Sequence, residues 1–319
     1  EADGTFDISN LTNGGTSIKT LSGAGTGDIE LGAKTLTLTA ASTEFDGAIH
    51  GTGGGLTING VGSVETLGGT GSDYSGTTTI TTGTLKAAVA NTLSSASAFV
   101  LAADQSAVLD LNGFSQTIYS LSGGTLSPSG DVRLGSGTLT ITNGGTFNGT
   151  INGSGQLDVG GATSTFTLTS GNLYTGQTTI EATDTLALTL SGNIGASSVV
   201  ADAGTFDISG VTSGSTSIIS LSGGGGVTLG SKTLNLTNAA NTFSGDISGN
   251  GGLTVSGGSE TLSGINDYTG ATSISPGATL YLTSAGSISG TSVTVSASPP
   301  TSYGTLNISG ITAGSTSIV

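Results

Sequence analysis

The chain has 319 residues and a formal net charge of −15, with only five basic residues, so it lacks the clustered cations that grip nucleic acid or an anionic membrane. Cys, Met and Trp are absent and Gly accounts for 58 residues, which excludes disulfides, thiolate metal sites and long helices. Disorder and collagen are excluded too: mean hydropathy is +0.22, only 8% of residues are charged, and four Pro without a Gly-X-Y period cannot make a triple helix.

The first predicted element is Gly4-Thr5-Phe6-Asp7-Ile8-Ser9, followed by Thr16-Ser17-Ile18 and Leu21-Ser22-Gly23. It returns as Gly204 to Ser209 with Thr216-Ser217-Ile218, and again as Gly304 to Ser309 with Thr316-Ser317-Ile318. A weaker copy contains Val108-Leu109-Asp110-Leu111 and Gln116-Thr117-Ile118. A period near 100 residues marks an array, in which stability comes from stacking neighbours. The modules are read as 1–103, 104–203 and 204–303, with the start of a fourth at 304–319, in one continuous fragment. The array stops in mid-repeat, so the chain is expected to be a piece of a longer, processed protein.

Next comes an alternating strand: Leu36-Thr37-Leu38, Leu139-Thr140-Ile141 and Leu234-Asn235-Leu236. Alternation puts the aliphatics on one face and the polar residues on the other. Phe45-Asp46-Gly47-Ala48-Ile49 follows, with copies at Phe147 to Ile151 and Phe243 to Ile247. A Gly between two inward apolar residues predicts a bend or a close backbone approach. A second alternating pair, Leu56/Ile58, Leu157/Val159 and Leu253/Val255, lies 18–20 residues beyond the first.

That spacing predicts an all-β, parallel β-solenoid (β-helix) of about 18–20 residues per coil, about five coils to a module. Leu38 stacks on Ile58 and Leu236 on Val255, in a narrow core of Leu, Ile, Val and Phe. Gly and Asn supply positive φ at the corners.

The last element of each module is Tyr74-Ser75-Gly76 to Ile80 with Thr84-Leu85, then Tyr174 to Ile180 with Thr185-Leu186, and Tyr268 to Ile274 with Thr279-Leu280. This pattern resembles the autotransporter-associated β-strand repeat of Gram-negative surface proteins. The matching stretches run from Glu65 to Leu85, Phe166 to Leu188 and Glu260 to Leu282. The second departs at Ala182-Thr183-Asp184, where the family has a Gly turn. The resemblance implies a right-handed β-helix, passage through the outer membrane and display at the cell surface, with the repeats forming a stalk.

Residues that could carry chemistry are few. His50 is the sole histidine, and Asn152 and Ser248 replace it in the other modules, so it reads as a solvent-facing turn residue without a partner. Asp7, Asp110 and Asp207 recur one module apart, too far to form a carboxylate pair, and Asn307 takes the same place. Arg133 with Asp131 reads as a surface ion pair, and Glu44 and Asp46 flank an inward Phe45. Gly69 to Asp73 only grazes a calcium-roll motif, and Gly230-Ser231-Lys232-Thr233 lacks the spacing of a phosphate loop. Sequons at Asn10, Asn148, Asn152, Asn235 and Asn307 carry no weight at this Ser and Thr content. The Thr-rich stretches 35–39 and 77–82 suggest an ice-matching face, but they do not recur coil after coil.

No catalytic, cofactor-binding or metal-binding residue is therefore assigned, and no cofactor is expected. The function expected is that of a non-catalytic extracellular surface protein, a rigid adhesin or passenger stalk. Alternatives are a self-assembling subunit of an extracellular filament, sheath or surface layer, and a polysaccharide-acting β-helix enzyme. The partners expected are the chain itself, end to end or laterally, or a host or cell-surface ligand. Nucleic acid is not expected, and nor is membrane insertion by this fragment.

Overall fold

The computed structural model describes residues 4–25, 27–103, 106–123, 131–161, 163–288, 292–298 and 302–312. Thr316-Ser317-Ile318 lies outside the described residues. All named elements are strands, and they pair in parallel except for one hairpin, Ala297–Ser298 with Ser302–Tyr303. The chain is an all-β protein built as a β-solenoid. It divides into two compact units, Glu1–Asp158 and Val159–Val319.

In the first unit, Gly15–Ile18, Thr35–Leu38, Gly55–Leu67, Thr78–Ala87, Ala98–Leu101 and Ser120–Gly123 lie side by side in that order. Leu36 faces Leu56 and Leu38 faces Ile58 across one rung, and all four are fully buried. The period-two pattern is the cause. The strand Thr35–Leu38 turns Leu36 and Leu38 inward and its Thr outward, and burying each Leu or Ile contributes about 1.5–3 kcal/mol before chain entropy is subtracted.

Among the described residues, the second unit shows three longer stacks of this kind. One contains Ser215–Ile218, Thr233–Leu236, Leu253–Val255, Thr272–Ile274 and Val293–Val295. Here Leu236 faces Val255, again with both side chains fully buried. A second stack runs through Thr165–Leu168, Thr185–Leu190, Thr205–Val211, Gly226–Thr228 and Asp246–Ser248. The third carries Leu221–Gly223, Thr242–Phe243, Ser259–Leu262 and Thr279–Ser284.

Coil length varies more than the 18–20 residues read from the aliphatic spacing. Ser215 faces Thr233 and Gly15 faces Thr35, within that range. Val108, however, faces Asp131, and Thr279 faces Thr305. The coil from Thr279 to Thr305 holds the antiparallel hairpin. Stacking fixes the inward positions of each strand and leaves corner length free.

The Gly between Phe and Ile proves to be both a bend and a close approach. A Cβ on Gly47 would overlap the carbonyl of Gly27 and press on the Phe45 ring. A Cβ on Gly245 would meet the Gly225 carbonyl and the Phe243 ring in the same way. The spot is filled by the backbone of the previous coil, so no side chain fits there.

Candidate functional surfaces

The Tyr motif builds an internal corner. Tyr74, Tyr174 and Tyr268 are buried, and their hydroxyls lie 2.7, 2.7 and 2.6 Å from the Oγ1 atoms of Thr78, Thr178 and Thr272. In two modules the chain of hydroxyls goes on to Ser97 at 2.7 Å and Ser197 at 2.9 Å. Those serines donate to the carbonyls of Gly76 and Gly176. Burial pushes the Tyr74 and Tyr268 phenols up to about 12, and the hydrogen bonds offset part of that rise. The motif spacing is thus set by a buried hydroxyl that must find a partner four residues on. It holds the corner of the fold together.

Asp7, Asp110, Asp207 and Asn307 share one local role. Each side-chain Oδ1 accepts the backbone N–H of the residue two positions on, at 2.8, 2.8, 2.8 and 2.9 Å. These are Asx-type bonds that end a strand at Asp7 and Asp110 and accompany a register shift within a strand at Asp207 and Asn307, and an amide oxygen serves as well as a carboxylate. Hydrogen bonds from Ser9 hold the Asp7 carboxyl below its ordinary value.

His50 has a partner, contrary to the sequence reading. Its Nδ1 lies 2.8 Å from Asp73 Oδ1, and Glu30 faces it across the previous rung. The reading failed because Asp73 is 23 residues away and only the coil brings it alongside. Neighbouring Ser72 is engaged as the acceptor for the Ile49 N–H at 3.2 Å. Asp110 gains cross-strand company as well, with Lys86 on one side and Arg133 on the other. The proposed pairing of Arg133 with Asp131 falls on a side chain outside the described residues.

Single outward columns of polar side chains recur over several coils, although the Thr-x-Thr stretches do not repeat on neighbouring rungs. Ser17, Thr37, Thr57 and Thr79 occupy successive rungs before Val100 interrupts them. In the second unit the column is Ser217, Asn235, Thr254, Ser273 and Thr294. Asn235 donates to Ser217 Oγ at 3.2 Å and accepts from Ser256 Oγ at 2.5 Å. Elsewhere in that unit Asp246 and Asp267 flank an open groove floored by Gly225 and Gly245. Burial first, and the charge of Asp267 second, raise the Asp246 carboxyl above its ordinary value. Among the described residues no group of three acidic, His or Cys side chains could hold a metal ion.

Against this geometry, one comparison with known proteins is informative. The chain is 33% identical over 276 residues, 79% of its length, to a protein described as an adhesin, the BmaC autotransporter, of Brucella suis biovar 1 (strain 1330). The chain is a relative of an autotransporter adhesin. The match covers 8% of that relative's length. No family model and no solved structure matches the chain. The stacked parallel coil is consistent with an autotransporter passenger. The relationship does not draw attention to three buried carboxylates.

Glu65, Glu260 and Asp202 are fully buried; the Glu65 carboxyl has no hydrogen-bond partner, and those of Glu260 and Asp202 have only backbone N–H groups nearby, outside normal hydrogen-bond geometry. Burial pushes Glu65 up to about 8 and Glu260 to about 9, with the nearby Leu221 N–H offsetting a little of the latter. Asp202 rises to about 7, burial being opposed by the N–H groups of Gly204 and Phe206. Sequence reasoning missed them because an acidic residue beside Thr reads as surface. A signal was present: in the module alignment Phe166, also fully buried, stands where the other two copies have Glu65 and Glu260.

Proposed function

We propose that this segment is part of the surface-exposed passenger of a Gram-negative autotransporter adhesin, and that it serves as a non-catalytic, rigid spacer. The observation that carries the reading is the stacked parallel coil, Leu38 on Ile58 and Leu236 on Val255, in a chain related to an autotransporter adhesin. A coil of this kind resists proteolysis because its backbone is hydrogen-bonded to both neighbouring coils and its aliphatics are enclosed. A non-catalytic role is supported by the use of Asp7, Asp110 and Asp207 in turns and of the tyrosines in buried corners. Contact with another cell or molecule then falls to outward side chains, here or elsewhere in the full protein.

The test uses intact cells that produce the full-length protein. Antibody raised against residues 1–319 is expected to label them without permeabilisation, and external protease is expected to release a large resistant fragment. Labelling only after the envelope is opened, or rapid digestion throughout the modules, would overturn the reading.

A further inference from the structure

The array contains acidic groups that serve no turn, ion pair or exposed face. Glu65 lies on Gly55–Leu67, between a strand containing Glu44 and Phe45 and the strand Thr78–Ala87. It faces Leu85 across one rung, and Thr43 precedes the paired strand on the other side. The charged residues of those strands, Glu44 and Lys86, alternate onto the outer face opposite Thr66, and Glu44 is exposed. Lys86 and Glu44 are therefore not counter-ions for the buried carboxyl.

Glu260 repeats the arrangement in the second unit. It faces Leu280, with Asn241 just before the strand on its other side. The flanking strands Thr242–Phe243 and Thr279–Ser284 carry no charged residue, and Tyr281, their one titratable group, alternates outward opposite Thr261. Asp202 lies three strands away in the same stack. In both units, then, an acid occupies a core position that a Phe occupies at 166. It is sealed from water, and among the described residues the strands paired with it place no cation beside it.

A carboxylate cannot be kept there as an anion at small cost, whereas a carboxylic acid can. We infer that Glu65 and Glu260 are proton-binding groups set into the core, which make the folded array firmer in acidic than in alkaline surroundings. The sign follows from linkage. Both folded values lie above the free glutamate value of 4.5, so the unfolded chain releases these protons first. Their stabilising contribution is complete below about pH 4.5, declines above it, and is gone once pH passes about 8 for Glu65 and about 9 for Glu260. Asp202 adds to the same trend over the window from 3.8 to about 7. The device is independent of what the protein binds.

The experiment is urea unfolding of the whole 319-residue chain at about pH 4, 7 and 9.5, values that bracket the glutamate titration window. Three proteins are compared: the natural chain, the double variant Glu65→Gln/Glu260→Gln, and Glu44→Gln as an exposed control. The natural chain and the control are expected to lose midpoint steadily with rising pH. The double variant is expected to lose most of that slope. Equal slopes in the natural chain and the double variant would overturn the inference. If the double variant does not fold, Glu65→Phe/Glu260→Phe takes its place, since Phe already fits at 166. Proton uptake on refolding the natural chain in weak buffer at about pH 7 gives a second reading. An uptake of about two protons or more is expected, and none would overturn the inference.

Discussion

The stretch from Glu44 to Lys86 in the first unit and the stretch from Thr242 to Tyr281 in the second are two solutions to one stacking problem. Facing inward they agree almost residue for residue: Phe45 and Phe243, Ile49 and Ile247, Ile58 and Val255, Glu65 and Glu260, Tyr74 and Tyr268, Leu85 and Leu280. Facing outward they have parted: Glu44 against Thr242, Asp46 against Ser244, His50 against Ser248, Lys86 against Tyr281. The core of a β-solenoid accepts little change, because every inward side chain is packed by the coil above and the coil below. The outer face is constrained only by strand preference and solubility. Differences between the modules are therefore written on the outside, and the inside specifies the scaffold.

The sharpest way to break that comparison is to put a side chain where both stretches require Gly. Gly47→Leu and Gly245→Leu are each expected to destabilise by about 3 kcal/mol or more, since the backbone of the previous coil occupies the space. Denaturant midpoints check this, and a loss below about 1 kcal/mol would show that the corner can relax.

A smaller effect is expected from Tyr74→Phe. It removes one hydroxyl from the chain of hydrogen bonds while Thr78 keeps Ser97, so the cost should be about 1 kcal/mol. At the third corner the described residues show only the Tyr268–Thr272 bond, so Tyr268→Phe should cost somewhat more, and a smaller cost than at Tyr74 would break that contrast.

Smaller still, Asp207→Ala should cost about 1 kcal/mol or less through loss of the Asx turn, while Asp207→Asn should be almost silent, as Asn307 already demonstrates. At Thr183 the expected sign reverses. This β-branched residue sits at φ 76°, and its counterpart Gly277 sits at φ 82°. Left-handed backbone costs a branched residue about 1–2 kcal/mol, and Gly's extra freedom in the unfolded chain offsets part of that. Thr183→Gly should therefore raise the unfolding midpoint slightly.

The same contrasts separate what could be read from the sequence from what could not. Leu38 over Ile58 was legible because inward residues alternate with period two and recur at one coil's spacing. The close approach at Gly47 was legible because a bare position between two inward apolar residues marks a point that no side chain can fill. His50 beside Asp73 was not, since their proximity depends on a coil length that corners can change. Coil length itself varied because the stack constrains strands and leaves turns alone. Glu65 was hidden by its type: carboxylates are assigned to the surface by default, and only the Phe at 166 argues otherwise.

The most direct measurement is solid-state NMR on chain labelled with carbon-13 at Leu and Ile, read for contacts between Leu38 and Ile58. Cross-peaks between these two side chains, absent from the Leu38→Ala variant, are the expected result for neighbours on adjacent rungs. Leu38 contacts confined to residues near it in sequence, in folded protein, would contradict the stacked coil and the surface role built on it.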